Sequence, residues 1–574
     1  MVSRRSFLGG AAATLLYPLS ARAGHLSFDI VVYGATSGGI AAAFEAKRQG
    51  RSVALVGGWR ESHLGGMMSG GLGYSDVDSP RAYGGLARYV IDRINERAGH
   101  PPGTFAFQPR FAEAVFQDLL ARHDIPVFWS LGVTRVRKEN GLIVEIATTM
   151  GQTFAAKVFI DASYEGDLAD KAGVTTFIGR EAASPQDLYN GYRNVFNDGG
   201  GSNHNFVRPR FFLKFLADRH IYLDPFVTPS DPASGLLPGV RERPQLPSAS
   251  GDGAVQAYNF RLTLTRDPRA RVPFASTPPD GYKKANYEIL FRYLEALRDG
   301  GFLKPTSTMA EENFLLCNNI GDGLYDVNNR GAVSLDHVGG SWSYPSASYA
   351  ERSLIWKEHE RWIRGLFYAF QHENDPRVTE SVRESMRAFG LADNHYLDPF
   401  PGDERHWPYQ LYVRESQRMV SDFVLHGADI AARDGSEPRS LSTIAAGSYN
   451  RDSHHTQRIA VPLPVWHVRN EGNFEVGNGG KDKIFPIPYE VTVPRRAECR
   501  NLLVAFCVSA THEAFGAFRM ELTLMQVGQS LGMAAAMIAE HPCFLAVQDV
   551  PYADLRRRLL ETPETTKPYL PQTN

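Results

Sequence analysis

Two short apolar runs flank an alanine-rich stretch near the start of the chain, and together they predict a strand–helix–strand unit. Residues 28–33 are largely apolar, as expected of a buried parallel strand. Residues 40–49 predict a helix, and Gly50 follows them as a helix C-terminal glycine. A second apolar strand at residues 52–56 completes a unit with the length of a βαβ repeat.

The turn between the first strand and the helix predicts a dinucleotide site. The first glycine, Gly34, permits the tight turn, and the last, Gly39, permits close packing of the helix on the strand. The amides at the N-terminus of the helix then face the pyrophosphate of a bound dinucleotide. A corner without a ligand is the alternative, but the complete strand–turn–helix context favours nucleotide binding. The predicted cofactor-binding residues of this turn are Gly34, Thr36, Ser37, Gly38 and Gly39.

The unit departs from the usual dinucleotide-binding fingerprint at two positions, one in the turn and one after the second strand. Thr36 replaces the second glycine, and we expect its hydroxyl to donate a hydrogen bond to the pyrophosphate. Gly57 stands where an acidic residue commonly binds the ribose hydroxyls. Ribose recognition is therefore expected from Glu61 or from backbone groups.

A glycine-rich segment at residues 63–73 favours FAD over a nicotinamide nucleotide. Its glycines let the backbone lie flat against a large planar group, and this density is too high for a helix or strand interior. We predict that Gly65, Gly66 and Met67 contact the cofactor. A flexible surface loop is the alternative, which the apolar residues of the segment disfavour.

The N-terminus predicts export through the twin-arginine route. Residues 1–23 contain Arg4-Arg5, an apolar stretch at 8–19 and an A-x-A cleavage site that ends at Ala23. The apolar stretch is too short for a membrane span, so we expect a periplasmic or secreted protein without an integral membrane anchor. This route carries folded proteins, which suits a cofactor inserted before transport.

Composition excludes several classes of partner and cofactor. The chain of 574 residues has a formal net charge of −2, which argues against nucleic acid as a partner. Its four cysteines show no C-x-x-C spacing, which argues against haem attachment, iron–sulfur clusters and cysteine zinc sites. Cys507 lies in an apolar run and is predicted to be a buried thiol.

The remaining pattern predicts an α/β protein with a Rossmann-like FAD-binding domain and an inserted α+β substrate domain. Strands are predicted at residues 158–162 and 501–506, and helices at 350–372 and 520–540. Gly528, Gly532 and Ala536 form a stripe that lets the last helix press against a neighbouring backbone, with its N-terminus towards the flavin. The predicted boundaries are 1–23 for the signal peptide, 24–180 and 481–545 for the FAD domain, 181–480 for the substrate domain and 546–574 for a tail.

Several motifs together resemble the FAD-dependent oxidoreductase family, which is distantly similar to the flavoproteins of fumarate reductase and succinate dehydrogenase. The resemblance implies a glutathione-reductase-type FAD domain but no particular substrate. With it we add Val133, Asp161, Gly516 and Met520 to the predicted cofactor-binding residues. The motifs are the glycine turn, HLGGM (63–67), IDASYEGD (160–167), VQAYNFR (255–261), NNRG (328–331), LYVRE (411–415), DSHHTQR (452–458) and SATHEAFGAFRM (509–520).

His63 lies in a segment that resembles the one in which succinate dehydrogenases attach FAD covalently through a histidine. The sequence therefore raises covalent FAD through His63 as one hypothesis. A hydrogen bond from this histidine to the pyrophosphate or flavin edge is the alternative.

For catalysis we predict His512 as the base, and His455 with Arg458 as the second candidate, because imidazole titrates near neutral pH. Most histidines are structural, and the His454-His455 pair gives only a weak zinc signal, so no metal site is predicted. Arg414-Glu415 is predicted to be an ion pair on a helix, and Arg519 to pair with Glu415 or Glu521.

The predicted function is exported FAD-dependent oxidation of a small alcohol, sugar or amine by hydride transfer to flavin N5. Electrons then pass to an external acceptor, which is oxygen, a quinone or a cytochrome. The alternatives are a flavin-dependent reductase of an activated double bond, a lyase or isomerase that carries FAD, and an accessory flavoprotein without catalysis.

Overall fold

The computed structural model describes residues 24–193, 206, 221–431, 442–462, 464–477, 484–563 and 567–570. The predicted signal peptide lies outside these residues. The α-helices are α1 Ser37–Arg48, α2 Met67–Gly70, α3 Gly85–Ala98, α4 Pro109–Ala121, α5 Asp167–Lys171, α6 Glu288–Asp299, α7 Met309–Asn313, α8 Tyr349–Gln371, α9 Glu380–Arg387, α10 Gly427–Ile430, α11 His512–Phe518, α12 Glu521–Glu540 and α13 Tyr552–Leu560.

The strands belong to one large mixed sheet, one smaller antiparallel sheet and several two-stranded pairs. They are β1 His25–Tyr33, β2 Val53–Val56, β3 Val127–Phe128, β4 Val133–Glu139, β5 Leu142–Thr148, β6 Thr153–Asp161, β7 Thr176–Phe177, β8 Leu262–Thr265, β9 Arg271–Val272, β10 Leu315–Asn319, β11 Leu324–Asn329, β12 Gly390–Ala392, β13 Arg418–Met419, β14 Thr443–Gly447, β15 Arg451–Ser453, β16 Gln457–Val461, β17 His467–Glu471, β18 Phe474–Val476, β19 Phe485–Pro488 and β20 Leu502–Val504.

The large sheet has the strand order β3-β2-β1-β6-β5-β4, and β20 also pairs with β6. Strands β3, β2, β1, β6 and β20 run parallel, with Val32 beside both Leu55 and Ile160. Their apolar residues are buried, as expected when helices cover a parallel sheet. The predicted βαβ unit and α/β class are therefore confirmed.

Helix α1 begins three residues earlier than the apolar pattern predicts. The Thr36 hydroxyl accepts a hydrogen bond from the amide of Gly39, so Ser37, Gly38 and Gly39 form the first helical turn. Glycine has poor helix propensity, which hid this turn from sequence reasoning. The predicted helix at 520–540 is confirmed as α12.

Helices α1 and α12 pack with their backbones in contact. A Cβ on Gly528 would overlap the carbonyl oxygen of Gly38, and one on Gly532 would overlap that of Ala42. The predicted stripe of small residues therefore serves close packing. Helix α12 is apolar and long enough to cross a membrane, but its residues 521–539 are buried inside the fold.

The smaller sheet lies within the region predicted as the substrate domain, whose boundaries stay a prediction. Its order is β10-β11-β8-β12-β9, and all its neighbouring strands are antiparallel. Helix α8, predicted at 350–372, begins after Ser348, whose side chain forms a capping box with Glu351. Cys507 is a buried thiol, as predicted.

We expect Gly528→Ala to lower the free energy of unfolding by about 1–3 kcal/mol, because the added methyl group forces the two helices apart. Thermal denaturation followed by circular dichroism measures this effect. Gly253→Ala is the control, since a Cβ there has no heavy atom within 4 Å. Equal stability of the two variants would contradict the assigned contact.

Candidate functional site

The turn after β1 has the geometry that a dinucleotide corner requires. Gly34 has φ +108°, and a Cβ there would lie 2.6 Å from the carbonyl carbon of Ala162. A Cβ on Gly39 would overlap the carbonyl oxygen of Gly34. The two glycines thus have the predicted packing roles.

The Thr36 hydroxyl is used inside the protein. It donates to the carbonyl oxygen of Ala162 at 2.8 Å and accepts from the amide of Gly39 at 3.1 Å. The expected donation of this proton to a pyrophosphate is therefore replaced by an internal bond. Thr36 contributes to the corner by capping α1.

Glu61 provides the carboxylate that position 57 lacks. Its Oε2 accepts hydrogen bonds from the amides of Ala35 at 2.6 Å and Gly58 at 2.7 Å, at the carboxyl ends of β1 and β2. Burial raises the pKa of this carboxyl. Glu61 therefore fits the ribose end of a dinucleotide, one of the two alternatives that the sequence left open.

The glycine-rich segment packs directly on the dinucleotide corner. The amide of Gly65 donates to the carbonyl oxygen of Ala35 at 2.8 Å, and a Cβ on Gly66 would overlap the hydroxyl of Tyr164. Residues Met67–Gly70 form one buried helical turn, although their glycine content argued against a helix. Gly65, Gly66 and Met67 thus lie directly beside the dinucleotide corner, and their contact with a cofactor stays a prediction.

Glu521, which sequence analysis did not identify as a site residue, joins three parts of this site. Its carboxylate accepts from the Ser37 hydroxyl at 2.5 Å and from the Tyr164 hydroxyl at 2.7 Å. The amide of Met67 in turn donates to the Tyr164 hydroxyl at 2.8 Å. Burial raises the pKa of Glu521 to about 7. The N-termini of α1 and α12 therefore meet at a carboxyl group that titrates near neutral pH.

Both ring nitrogens of His63 are engaged by the protein. Nδ1 lies 2.8 Å from Oε1 of Glu113, and Nε2 lies 2.7 Å from the carbonyl oxygen of Asp398. The ring also stacks on Tyr409 with centroids 3.5 Å apart. Because a histidyl–flavin bond needs a ring nitrogen, this geometry does not support covalent attachment through His63.

Val133 and Asp161 accept hydrogen bonds from other residues of the protein. The carbonyl oxygen of Val133 accepts from the Tyr349 hydroxyl at 3.0 Å. The Asp161 carboxylate accepts from the amides of Ser163 and Ala169 at 3.0 and 2.9 Å, and burial raises its pKa to about 6. Asp161 thus shapes the loop after β6, and contact of either residue with a cofactor stays a prediction.

Gly516 and Met520 frame the approach to α12. A Cβ on Gly516 would overlap the carbonyl oxygen of Asp452, so this glycine lets β15 approach α11. Met520 is the residue before the first turn of α12 and is buried. Their direct contact with a cofactor also stays a prediction.

A buried group of charged side chains lies next to the glycine-rich segment, and we name it the arginine–carboxylate cluster. At its centre is Tyr412, whose ring centroid lies 4.9, 5.7 and 5.9 Å from the guanidinium carbons of three arginines. The cluster consists of the half-buried Tyr412 and the buried residues Arg261, Arg414, Arg519, Asp326, Asp336, Asp452 and His454.

Each arginine of the cluster is paired with one aspartate. Arg261 pairs with Asp326, Arg414 Nη2 lies 2.9 Å from Asp336 Oδ1, and Arg519 Nη2 lies 2.9 Å from Asp452 Oδ2. The sequence-based pairings for Arg414 and Arg519 were therefore wrong. Residues 414 and 415 lie outside any helix, and pairing partners distant in sequence replace the expected local ones.

His454 lies between two of these aspartates. Its Nδ1 is 2.8 Å from Asp336 Oδ2, and its Nε2 is 3.6 Å from Asp452 Oδ2. Burial lowers the pKa of His454 well below its usual range, although Asp336 opposes this shift. Burial also raises the pKa of Asp452 to about 6. His454 is therefore a neutral imidazole whose Nδ1–H donates to Asp336.

The cluster adjoins the predicted flavin end of the site. The amide of Gly73 donates to Asp326 Oδ1 at 3.1 Å, and a Cβ on Gly71 would lie 3.0 Å from the carbonyl oxygen of Arg261. Arg519 precedes Glu521 by two residues. The cluster is thus attached both to the glycine-rich segment and to the N-terminus of α12.

The predicted base His512 lies behind the cluster. Its Nδ1 is 2.8 Å from Glu415 Oε2, its Nε2 is 3.0 Å from the Ser453 hydroxyl, and the side chain is fully buried. Asp452 of β15 and His454, which follows the strand, take part in the cluster, whereas Ser453 between them contacts His512. This geometry favours a positioning role for His512 over the predicted role as base.

The other two predicted catalytic residues do not join His512. His455 is buried, and its carbonyl oxygen accepts from the amide of Ala257 at 3.0 Å. Arg458 donates to Asn470 and Ala332, outside the cluster. The sequence indicated His454 only as part of a weak zinc signal with His455. The clearest sequence sign of its place in the cluster is that Asp452 and His454 lie two residues apart, on either side of Ser453.

Comparison with known proteins identifies a family. The sequence profile of a family described as FAD dependent oxidoreductase matches residues 29–559. No curated protein sequence matches the chain.

Solved structures give partial matches. One is a flavin-containing monooxygenase from Stenotrophomonas maltophilia, at 18% identity over 31% of this chain and 44% of that chain, with a TM-score of 0.19. Another is 3-ketosteroid-delta4-(5alpha)-dehydrogenase from Rhodococcus jostii RHA1, at 14% identity over 27% and 48%, with a TM-score of 0.18. The chain spans less than half the length of either structure.

We expect FAD to bind more tightly at pH 6 than at pH 8, by up to about tenfold per pH unit. The pyrophosphate brings negative charge to the N-terminus of α1, which favours the protonated form of the neighbouring Glu521 carboxyl. Because the pKa of Glu521 is about 7, affinity falls as this carboxyl ionises across that interval. Titration of apoprotein with FAD, followed by flavin fluorescence, measures the dependence.

Glu521→Gln should remove most of this pH dependence. Glu540→Gln, at the other end of α12, is the matched control because Glu540 is exposed and pairs with Arg558. An unchanged pH dependence in Glu521→Gln would assign the effect to another group.

We expect acid precipitation of the purified protein to leave FAD in the supernatant, because both nitrogens of His63 are occupied by protein groups. His63→Ala should give the same distribution of flavin absorbance. A yellow pellet from the wild type that disappears in His63→Ala would establish a covalent link and reject this interpretation.

Proposed function

Since this chain belongs to the FAD-dependent oxidoreductase family, we propose that it oxidises a small organic substrate by hydride transfer to flavin N5. The substrate class is an alcohol, a sugar or an amine. When bound, FAD supplies the hydride acceptor. The observation that carries the proposal is the arginine–carboxylate cluster, a buried group of polar side chains attached to the predicted flavin end of the site.

His454 is the base in this proposal. Its Nδ1–H bond to Asp336 places the imidazole lone pair on Nε2, where it accepts the proton that leaves the substrate hydroxyl or amine. Burial keeps the imidazole neutral before the reaction, and Asp336 stabilises the positive charge that forms on it. Asp336 is a positioning residue, because it acts through His454.

Arginines and Tyr412 would orient the substrate. Arg519 Nη1 donates to the Tyr412 hydroxyl at 2.8 Å, and Asp452 holds the same guanidinium from another side. These fixed donors suit oxygen atoms of a substrate, and their burial excludes competing water. A reacting C–H bond can then be held near the glycine-rich segment.

Electrons would leave through an external acceptor, which we propose to be oxygen, a quinone or a cytochrome. Export through the twin-arginine signal at residues 1–23 would place the enzyme in the periplasm or outside the cell. A nicotinamide pool is absent from those compartments, which is consistent with an acceptor of another class.

The reaction class is tested by mixing FAD-loaded enzyme with candidate substrates without oxygen. Stoichiometric bleaching of the flavin supports the proposed oxidation. Product formation with an unchanged flavin spectrum would replace it by a lyase or isomerase activity. Reoxidation of the chemically reduced enzyme by an activated double bond, without bleaching by any alcohol, sugar or amine, would replace it by a reductase activity.

We expect His454→Gln to slow flavin reduction by about 10²–10⁴-fold, the usual contribution of a general base. Its flavin content should stay unchanged, because His454 lies in the cluster and not at the dinucleotide corner. Stopped-flow absorbance measures the rate, and His541→Gln is the control at an exposed histidine. Wild-type reduction rates in His454→Gln would exclude this residue as the base.

A further inference from the structure

Arg458 is a buried cation whose hydrogen bonds go only to neutral groups in the described part of the chain. The residue as a whole is 3% exposed to solvent. Nε donates to Asn470 Oδ1 at 2.9 Å, and Nη2 donates to the carbonyl oxygen of Ala332 at 3.2 Å. Burial lowers the pKa of Arg458 to about 10, with no charged group opposing the shift.

Seven other buried arginines among the described residues differ from Arg458 in having a carboxylate partner. Taking a guanidinium out of water is costly, and a nearby negative charge is what normally offsets that cost. The charge of a buried arginine without such a partner can therefore be offset by an anion from outside the chain. The paired arginines are Arg180, Arg261, Arg352, Arg414, Arg418, Arg451 and Arg519.

A second polar group near Arg458 also has unused hydrogen-bonding capacity. Nδ1 of His337 is buried and has no hydrogen-bond partner among the described residues. Burial lowers the pKa of His337 well below its usual range, and the charges of His359 and Arg458 lower it further. The ring stacks on Trp362, with centroids 5.2 Å apart, and is therefore held in one orientation.

The surroundings of Arg458 are connected to the arginine–carboxylate cluster by short stretches of chain. His337 directly follows Asp336, and Ala332, which accepts from Arg458, belongs to the same loop. On the other side, Arg458 follows His454 by four residues. Arg458 is therefore linked to the cluster along two segments of the chain, one through Ala332 and one through residues 454–458.

We propose that Arg458 binds a carboxylate of the substrate, so that the enzyme acts on an organic acid that also carries the reacting alcohol or amine. This assignment rests on the proposed function. The Nη1 amino group donates to a carboxylate oxygen, and His337 provides a second, neutral hydrogen-bonding group. No covalent change takes place at Arg458.

The first test compares the stability of variants of the FAD-loaded protein. We expect Arg458→Met to raise Tm, because it replaces an unpaired buried charge by an apolar side chain of similar length. Arg414→Met should instead lower Tm, because it leaves Asp336 without its arginine. A loss of stability in Arg458→Met as large as that in Arg414→Met would overturn the proposal, since it would give Arg458 a purely structural role.

The second test measures carboxylate binding by the FAD-loaded protein. Sodium malonate should raise Tm with saturation at constant ionic strength, whereas sodium chloride and malonamide should not. Arg458→Met should weaken the malonate dissociation constant at least about tenfold, as expected for loss of a charge-assisted hydrogen bond. Arg241→Met is the matched control, because Arg241 is exposed and lies over the Trp342 ring nearby. Equal malonate binding in Arg458→Met and wild type would overturn the proposal.

A third measurement distinguishes a substrate carboxylate from a free anion. The substrate that bleaches the flavin should be acidic, and Arg458→Met should raise its KM at least about tenfold with a smaller change in kcat. Malonate binding at Arg458 together with a neutral substrate of unchanged KM would overturn the assignment to the substrate and leave the oxidation intact. Absence of any flavin bleaching would reject the proposed function. It would leave the malonate result as independent evidence for a carboxylate site at Arg458.

Discussion

Two glycines, Gly38 and Gly528, allow helix α12 to lie with its backbone against helix α1. The contact fixes the N-termini of both helices at one place, where the hydroxyl of Ser37 meets the carboxylate of Glu521. The rest of the site follows from this arrangement, because Arg519 enters the arginine–carboxylate cluster just before α12 begins. A side chain larger than hydrogen at either glycine would separate the dinucleotide corner from the cluster.

The dinucleotide corner was predictable from sequence because its parts are neighbours in the chain. Gly34 and Gly39 act within one turn, and the flanking apolar runs pair as adjacent parallel strands. The cluster was not predictable in this way. Arg414 pairs with a residue 78 positions earlier (414 − 336 = 78), and no local pattern reports such a pair. The sequence therefore identified the cofactor, whereas only the structure placed His454 beside Asp336.

The surroundings of His512 were unpredictable for the same reason. A histidine before a helix that faces the cofactor has the sequence features of a base, but its ring nitrogens bond to Glu415 and Ser453. These contacts come from two other segments and engage both nitrogens of the imidazole. His454, directly after β15, is the histidine that contacts the aspartates, and the position of this segment depends on tertiary packing.

Contacts between residues 37 and 521 also have a consequence for protein synthesis. The first half of the corner leaves the ribosome well before Glu521, which lies 484 positions later in the chain. A nascent chain therefore presents an open glycine turn without the carboxyl group and helix that complete it. The complete corner therefore forms only after α12 has been made and has packed on α1.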